Sequence, residues 1–419
     1  MHLICIIKKM IPTVIKDNIK IINYKRKYHY KHSKVKNSKC VILFLVSRTN
    51  IFSSVESVYT EANKNKCIDT YLIALPDRSK NKKNTDNSNV LDFCKGIAGD
   101  RAISCYENDG SFVDLRKFNP DYIFLGIPYN EEYPDGFKFH EMANFSKLCV
   151  VPYGYCFIDG VVLETAFNLC LLAHISYFFA EGPIGYRYCK KKLFLFEKLE
   201  GVKVYSLGFP RFDLLKSKND CLEKKKIKRI AYFPRWTTPE NEANGHEPSS
   251  FMLFKDRILD FAEKHSDYEI VIRPHPILFD RFIKYGLLNK EEIKEYMDII
   301  SSTNNVTLDE SNDYHHTLIS ADIVVTDYSS TIAEFLLVGQ PIIYFGTSQN
   351  FSEQYKPLFN GMYNVNNWES VEDLILDISR GNDYKKNYRI TYTQKILRQN
   401  IKSAGELIIN RLLKDWKDS

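Results

Sequence analysis

A chain of 419 residues with 44% apolar side chains has material for two cores and is too long for one ordinary domain. It holds no run of about 18 apolar residues, so no membrane-crossing helix is expected. Its ten cysteines form no CxxC pair and sit at no zinc-ligand spacing with histidine, which points to reduced thiols rather than a disulfide frame. No small-residue cleavage site follows an apolar N-terminal core, so no secretory signal is expected. The net charge of +6 is local. Residues 1–39 carry ten lysines and Arg26 against one acid, Asp17, and the body that follows is slightly acidic.

In that first segment Leu3, Ile7, Met10, Ile11, Val14, Ile15, Ile19 and Ile22 recur near helical spacing, with Lys8, Lys9, Lys16 and Lys20 between them. This pattern fits an interfacial helix on an anionic membrane surface. It also fits a helix packed on the body with a solvated basic face. Nucleic acid is the weaker third reading, because no basic stripe continues beyond the arm.

From Cys40 the pattern becomes short apolar runs separated by helical stretches. Strands are expected at Val41–Val46, Thr70–Leu75, Tyr122–Ile127, Leu148–Pro152, Ile175–Phe179 and Val202–Leu207. Lysine-rich 216–228 reads as a linker. A second series follows at Ile230–Phe233, Tyr268–Ile272, Val306–Leu308, Ile323–Thr326 and Pro341–Phe345, and the end of the chain reads as helices. Strand–helix alternation implies parallel sheets with right-handed crossovers. The fold class expected is α/β, two Rossmann-like domains facing a cleft, preceded by the basic arm.

Two elements carry the chemistry. The turn Asp327-Tyr328-Ser329-Ser330-Thr331 lies between a buried strand and an apolar helix. Its free N–H groups and hydroxyls suit a phosphate; an ordinary helix N-cap is the bland alternative. The segment Arg273-Pro274-His275-Pro276 also follows a strand. There Arg273 can fork onto phosphate oxygens, and His275 can act as a base or an electrostatic partner. Asp327 is expected to orient the turn or His275. Glu334 is expected either to reach the nucleotide or to pair with Thr331 in a capping box. Arg211 and Arg235 close two further strands and are candidate phosphate ligands. Tyr153, before Gly154, is a candidate partner of an acceptor. His315 and His316 read as helix surface. Neither GxGxxG nor GxxxxGK[ST] is present, which weakens dinucleotide and ATP readings. No DxD or carboxylate cluster is evident, so neither a metal nor a cofactor is expected.

GFPRFD at 208–213, YFPRW at 232–236, RPHP at 273–276 and TDYSSTIAEFLLVGQPIIYF at 326–345 together resemble the CDP-glycerol glycerophosphotransferases of teichoic-acid and capsule synthesis. The resemblance implies a glycosyltransferase-B type fold. It also implies transfer of glycerol phosphate, or a related alditol phosphate, from a CDP-alditol to a hydroxyl of a lipid-linked polymer acceptor at the cytoplasmic membrane face. Under it, residues 40–215 form the acceptor domain and 216–385 the nucleotide-donor domain, with a helical tail, 386–419, returning to the first. His275 matches the family's HP histidine, and Ser329 and Ser330 match the serines that hold the donor phosphates. The family's HG histidine has no counterpart, since Tyr153-Gly154 stands in its place. The alternatives are a sugar-nucleotide glycosyltransferase and a membrane-docked binding module without catalysis.

Overall fold

The computed structural model describes residues 19, 22, 37–79, 81–157, 167–193, 202–218, 228–243, 246–311, 314–346, 351–397 and 402–418. Nearly all of the basic arm, and residues 219–227 of the linker, lie outside the described residues. The chain divides into two compact units. One comprises Met1–Leu214 with Asn400–Ser419, the other Leu215–Gln399.

The first unit is built on a parallel sheet of seven strands: β1 (Cys40–Val46), β2 (Ile68–Ala74), β3 (Ala102–Ser104), β4 (Tyr122–Leu125), β5 (Lys147–Val150), β6 (Ile175–Phe179) and β7 (Lys203–Tyr205). β1, CVILFLV, is buried at every position. A strand covered on both faces needs an unbroken apolar run rather than an alternating one. The second unit holds β8 (Lys228–Phe233), β9 (Tyr268–Ile272), β10 (Val306–Leu308), β11 (Ile323–Thr326), β12 (Ile342–Phe345) and β13 (Tyr363–Val365), again all parallel.

The strand orders are β3-β2-β1-β4-β5-β6-β7 and β10-β9-β8-β11-β12-β13. Within each unit the third, second, first, fourth, fifth and sixth strands follow one another, the doubly wound order. The winding direction reverses between β1 and β4 in one unit and between β8 and β11 in the other. At such a point the loops leaving the carboxyl ends diverge and open a crevice for a ligand.

The expected tail divides between the units. The helix Lys386–Leu397 belongs to the second, where the Nε of buried Arg389 donates to the Gly339 carbonyl at 3.1 Å. The last helix, Ala404–Lys417, belongs to the first and packs on the helix Glu56–Lys64. Asp213 fastens its start. The carboxylate accepts the N–H groups of Ala404 (3.1 Å) and Gly405 (3.0 Å) and the Ser57 hydroxyl (2.6 Å). Gly405 has no room for a side chain, because a Cβ there would stand 2.5 Å from the Ser57 carbonyl oxygen. Gly405→Ala is therefore expected to lower stability by about 1–3 kcal/mol, read as a shifted midpoint in urea denaturation. An unchanged midpoint would show that the helix does not depend on this close approach.

Candidate active site

Three consecutive loops converge at the carboxyl edge of the second sheet. The loop after β8 runs 234–238, the loop after β9 carries Arg273–Pro276, and the turn after β11 carries Asp327–Thr331. Backbone bonds tie them together. The His275 N–H donates to the Pro234 carbonyl (3.0 Å) and the Arg273 N–H to the Tyr232 carbonyl (2.8 Å). The Thr326 hydroxyl donates to the Phe233 carbonyl at 3.1 Å. His275 and the serine turn thus share one sheet edge, two strand spacings apart or roughly 10 Å between backbones. The loop carrying Arg235 lies between them, at the topological switch.

Asp327 is fully buried. Its Oδ2 accepts the N–H groups of Arg235 (2.8 Å) and Ser250 (3.1 Å), so it positions the loop 235–250 rather than His275. Oδ1 is buried without a hydrogen-bond partner. Burial outweighs these bonds and pushes the carboxyl up to about 6.

Arg235 has its Nε and Nη1 buried with no hydrogen-bond partner. Its guanidinium lies 5.4 Å from the centre of the Tyr328 ring and 6.0 Å from that of Trp236. Burial lowers its pKa despite the nearby Asp327 charge. A buried, undercompensated cation at a switch point is a receptor for an anion.

The serine turn is oriented outward. Ser329 Oγ accepts both the Thr331 N–H (3.2 Å) and the Thr331 hydroxyl (2.8 Å), which leaves its own proton to donate elsewhere. Thr331 therefore supports Ser329. Ser330 is partly exposed beside it.

His275 is an exposed residue. Its Nδ1 faces the Ile277 N–H at 3.4 Å, which assigns the proton of the neutral ring to Nε2. Desolvation, and then the Arg235 charge, lower its pKa to about 4.

Other candidates are engaged elsewhere. Arg273 pairs with Asp309 (Nη1 to Oδ1 2.8 Å), and Nη2 donates to the Ser311 carbonyl (2.7 Å). It holds the loop after β10, and its fork does not lie open for a phosphate. Glu334 is buried and accepts the Tyr314 hydroxyl at 2.6 Å. Thr331 caps its helix without a side-chain bond, so the capping-box reading is replaced by this contact. The ring of Tyr314 in turn lies 5.7 Å from the Arg273 guanidinium. His315 is buried against Glu334 and stacks on Tyr314, contrary to its reading as helix surface; His316 is exposed.

In the first unit Arg211 is buried. Its Nε donates to Ser53 Oγ (3.0 Å) and its Nη2 to the Asn50 carbonyl (3.2 Å), an architectural role in place of the expected phosphate contact. Tyr153, beyond the carboxyl end of β5, shares a hydroxyl–hydroxyl bond with Tyr129 (3.0 Å). At this unit's own switch point Arg48 pairs with Glu132 and with Asp77 (3.1 Å). Burial raises the Glu132 carboxyl despite that partner. No sequence motif marks this group, since its members come from loops after three different strands.

The family model for CDP-glycerol:poly(glycerophosphate) glycerophosphotransferase matches residues 194–414. The chain belongs to this glycerophosphotransferase family. Among curated relatives, the minor teichoic acid biosynthesis protein GgaB of Bacillus subtilis is 25% identical over 47% of this chain and 23% of its own length. The teichoic acid ribitol-phosphate polymerase TarK of Staphylococcus aureus is 23% identical over 50% of this chain and 40% of its own. The teichoic acid poly(glycerol phosphate) polymerase of Bacillus spizizenii is 24% identical over 44% and 46%. The chain thus spans less than half the length of each of these relatives.

Among solved structures, the wall teichoic acid polymerase TagF superposes with a TM-score of 0.58 at 12% identity, over 97% of this chain and 98% of that one. A UDP-N-acetylglucosamine 2-epimerase from Listeria monocytogenes gives 0.58 at 14%, over 91% and 98%. At these identities the likeness establishes the fold, which is of the glycosyltransferase-B type. For this glycerophosphotransferase-family chain, the matched segment contains His275, Arg235, Asp327 and the serine turn.

Proposed function

We propose that this chain transfers glycerol phosphate, or a related alditol phosphate, from a CDP-alditol to a hydroxyl of a membrane-linked polyphosphodiester acceptor. The observation that carries the reading is Arg235. It is a half-buried arginine with two buried, unpartnered guanidinium nitrogens, at the switch point between the serine turn and His275. The acceptor oxygen attacks the β-phosphorus, the bond from that phosphorus to the bridging oxygen breaks, and CMP leaves with the electron pair and takes up the proton of the acceptor hydroxyl. Arg235, the Ser329 and Ser330 hydroxyls and the Nε2–H of His275 stabilise the charge on the phosphoryl oxygens, the main requirement of such chemistry. Tyr153 is a candidate contact for the acceptor on the first unit.

Being neutral across the physiological range, His275 serves this reading as a hydrogen-bond donor. His275→Ala is expected to lower CMP release from CDP-glycerol by about 10²-fold. His275→Gln, which keeps a side-chain N–H, should recover part of the loss, and the parent kcat/KM should show no inflection near pH 6.5 from this ring. Activity of the alanine variant within about threefold of the parent would remove His275 from the mechanism. The same assay run with CDP-ribitol and UDP-sugars tests the donor class. Sugar transfer in place of CMP release would replace this reading by a glycosyltransferase.

Attachment to the membrane is supported by the charge of residues 1–39 and by their apolar spacing. Among the described residues no helix is long and apolar enough to cross a membrane. Removal of residues 1–35 is expected to abolish co-sedimentation with anionic phospholipid vesicles at low salt. Undiminished sedimentation would return the arm to a packing role.

A further inference from the structure

Arg235 has two neighbourhoods. One is Tyr328, at the head of the serine turn. The other is Trp236, and around that indole stand two groups that the donor site does not use, Arg281 and His246. Arg281, on the helix Leu278–Lys284 that follows the loop of β9, places its guanidinium 5.1 Å from the Trp236 ring centre. The His246 ring, on the returning arm of the loop after β8, lies 5.7 Å from it. His275 borders the same indole at 6.2 Å. Among the described residues no carboxylate stands within ion-pair distance of Arg281, Arg235 or His246.

Electrostatics agree with this count of charges. Desolvation comes first in lowering the His246 pKa, followed by the charges of Arg235 and Arg281. Cations that depress neighbouring imidazoles, with no carboxylate in ion-pair contact with them among the described residues, form a site that an anion would complete. The buried Nε and Nη1 of Arg235, both without partners, are an independent sign of a missing anion.

We propose that Trp236, His246 and Arg281 form a second anion subsite, which takes the phosphodiester group next to the acceptor's attacking hydroxyl. This rests on the proposed transfer to a polyphosphodiester acceptor and assigns that acceptor a contact on the second unit. The Arg281 guanidinium over the indole gives only Nη1 to the Tyr285 hydroxyl (3.5 Å), so further N–H groups can meet phosphate oxygens, and His246 adds a donor from another loop. The donor's pyrophosphate is accounted for by the serine turn, Arg235 and His275, the last of which also borders the indole. A phosphate group on the acceptor is the ligand left for the Trp236 side.

The test uses the full chain saturated with CDP and sn-glycerol 3-phosphate as the probe, read by NMR of the histidine rings. Binding of the probe is expected to raise the His246 pKa. Arg281→Ala and His246→Ala should each weaken probe affinity by about 10-fold or more, as loss of a charge-assisted contact does, and leave CDP affinity within about twofold. A fall in CDP affinity in either variant would assign the cluster to the donor and overturn the proposal, as would a probe that leaves His246 unmoved. The readout is binding, so a chain that releases no CMP from any donor would refute the proposed function without obscuring this result.

Discussion

Arg235→Met is expected to lower CMP release by about 10²–10³-fold while leaving the protein at least as stable as the parent. The catalytic loss follows from position. Removing one preorganised donor aimed at developing phosphoryl charge costs that much in related chemistry, and Arg235 presents two buried, unpartnered nitrogens at the point where a doubly wound sheet opens. The stability outcome follows from the same fact. Desolvation lowers the pKa of this guanidinium, so in the ligand-free protein its burial is not repaid by its surroundings. An unbranched apolar side chain of similar length removes that strain and keeps contact with the rings of Tyr328 and Trp236. CDP should raise the melting temperature of the parent, because it binds only the folded state, and should do so far less in the variant. Turnover within about tenfold of the parent would show that the phosphates bind elsewhere.

Much of the frame is legible in the sequence because buried parallel strands are written as unbroken apolar runs. Ile175–Phe179, Tyr268–Ile272, Val306–Leu308 and Ile323–Thr326 are strands over those residues. β3 and β13, three residues each, escape the reading, although β10, equally short, does not. The common edge of RPHP and the serine turn is legible for the same reason as the strands, since each motif directly follows one. What cannot be read is which partner a long side chain chooses. Arg273 finds Asp309 and Ser311 across a sequence gap of 36 to 38 residues, and Arg211 finds Ser53 at a gap of 158. Nothing local distinguishes these arginines from Arg235, which closes a strand in the same way. Only the fold shows that two of the three are already engaged. Glu334 is a similar case, because its spacing from Thr331 suits a capping box but its carboxylate turns to Tyr314.

Glu181 gives the largest expected effect on stability, and it lies outside the proposed chemistry. It follows β6, only 3% of its surface is exposed, and neither carboxylate oxygen has a hydrogen-bond partner. Gly185, in the first turn of the helix Pro183–Lys192, makes room for it, since a Cβ there would sit 2.8 Å from the carboxyl carbon. Burial pushes this carboxyl from 4.5 up to about 8. The folded state therefore holds its proton where the unfolded chain releases it. The contribution to stability is complete below about pH 4.5 and is lost as the pH rises through about 8. At about 1.4 kcal/mol per pH unit, the loss reaches roughly 5 kcal/mol. Glu181→Met has no proton to hold. Urea denaturation should find parent and variant similar at pH 5, with the variant more stable by several kcal/mol at pH 8. If the two lose stability in parallel between those values, the carboxyl is either solvated or already paired in solution.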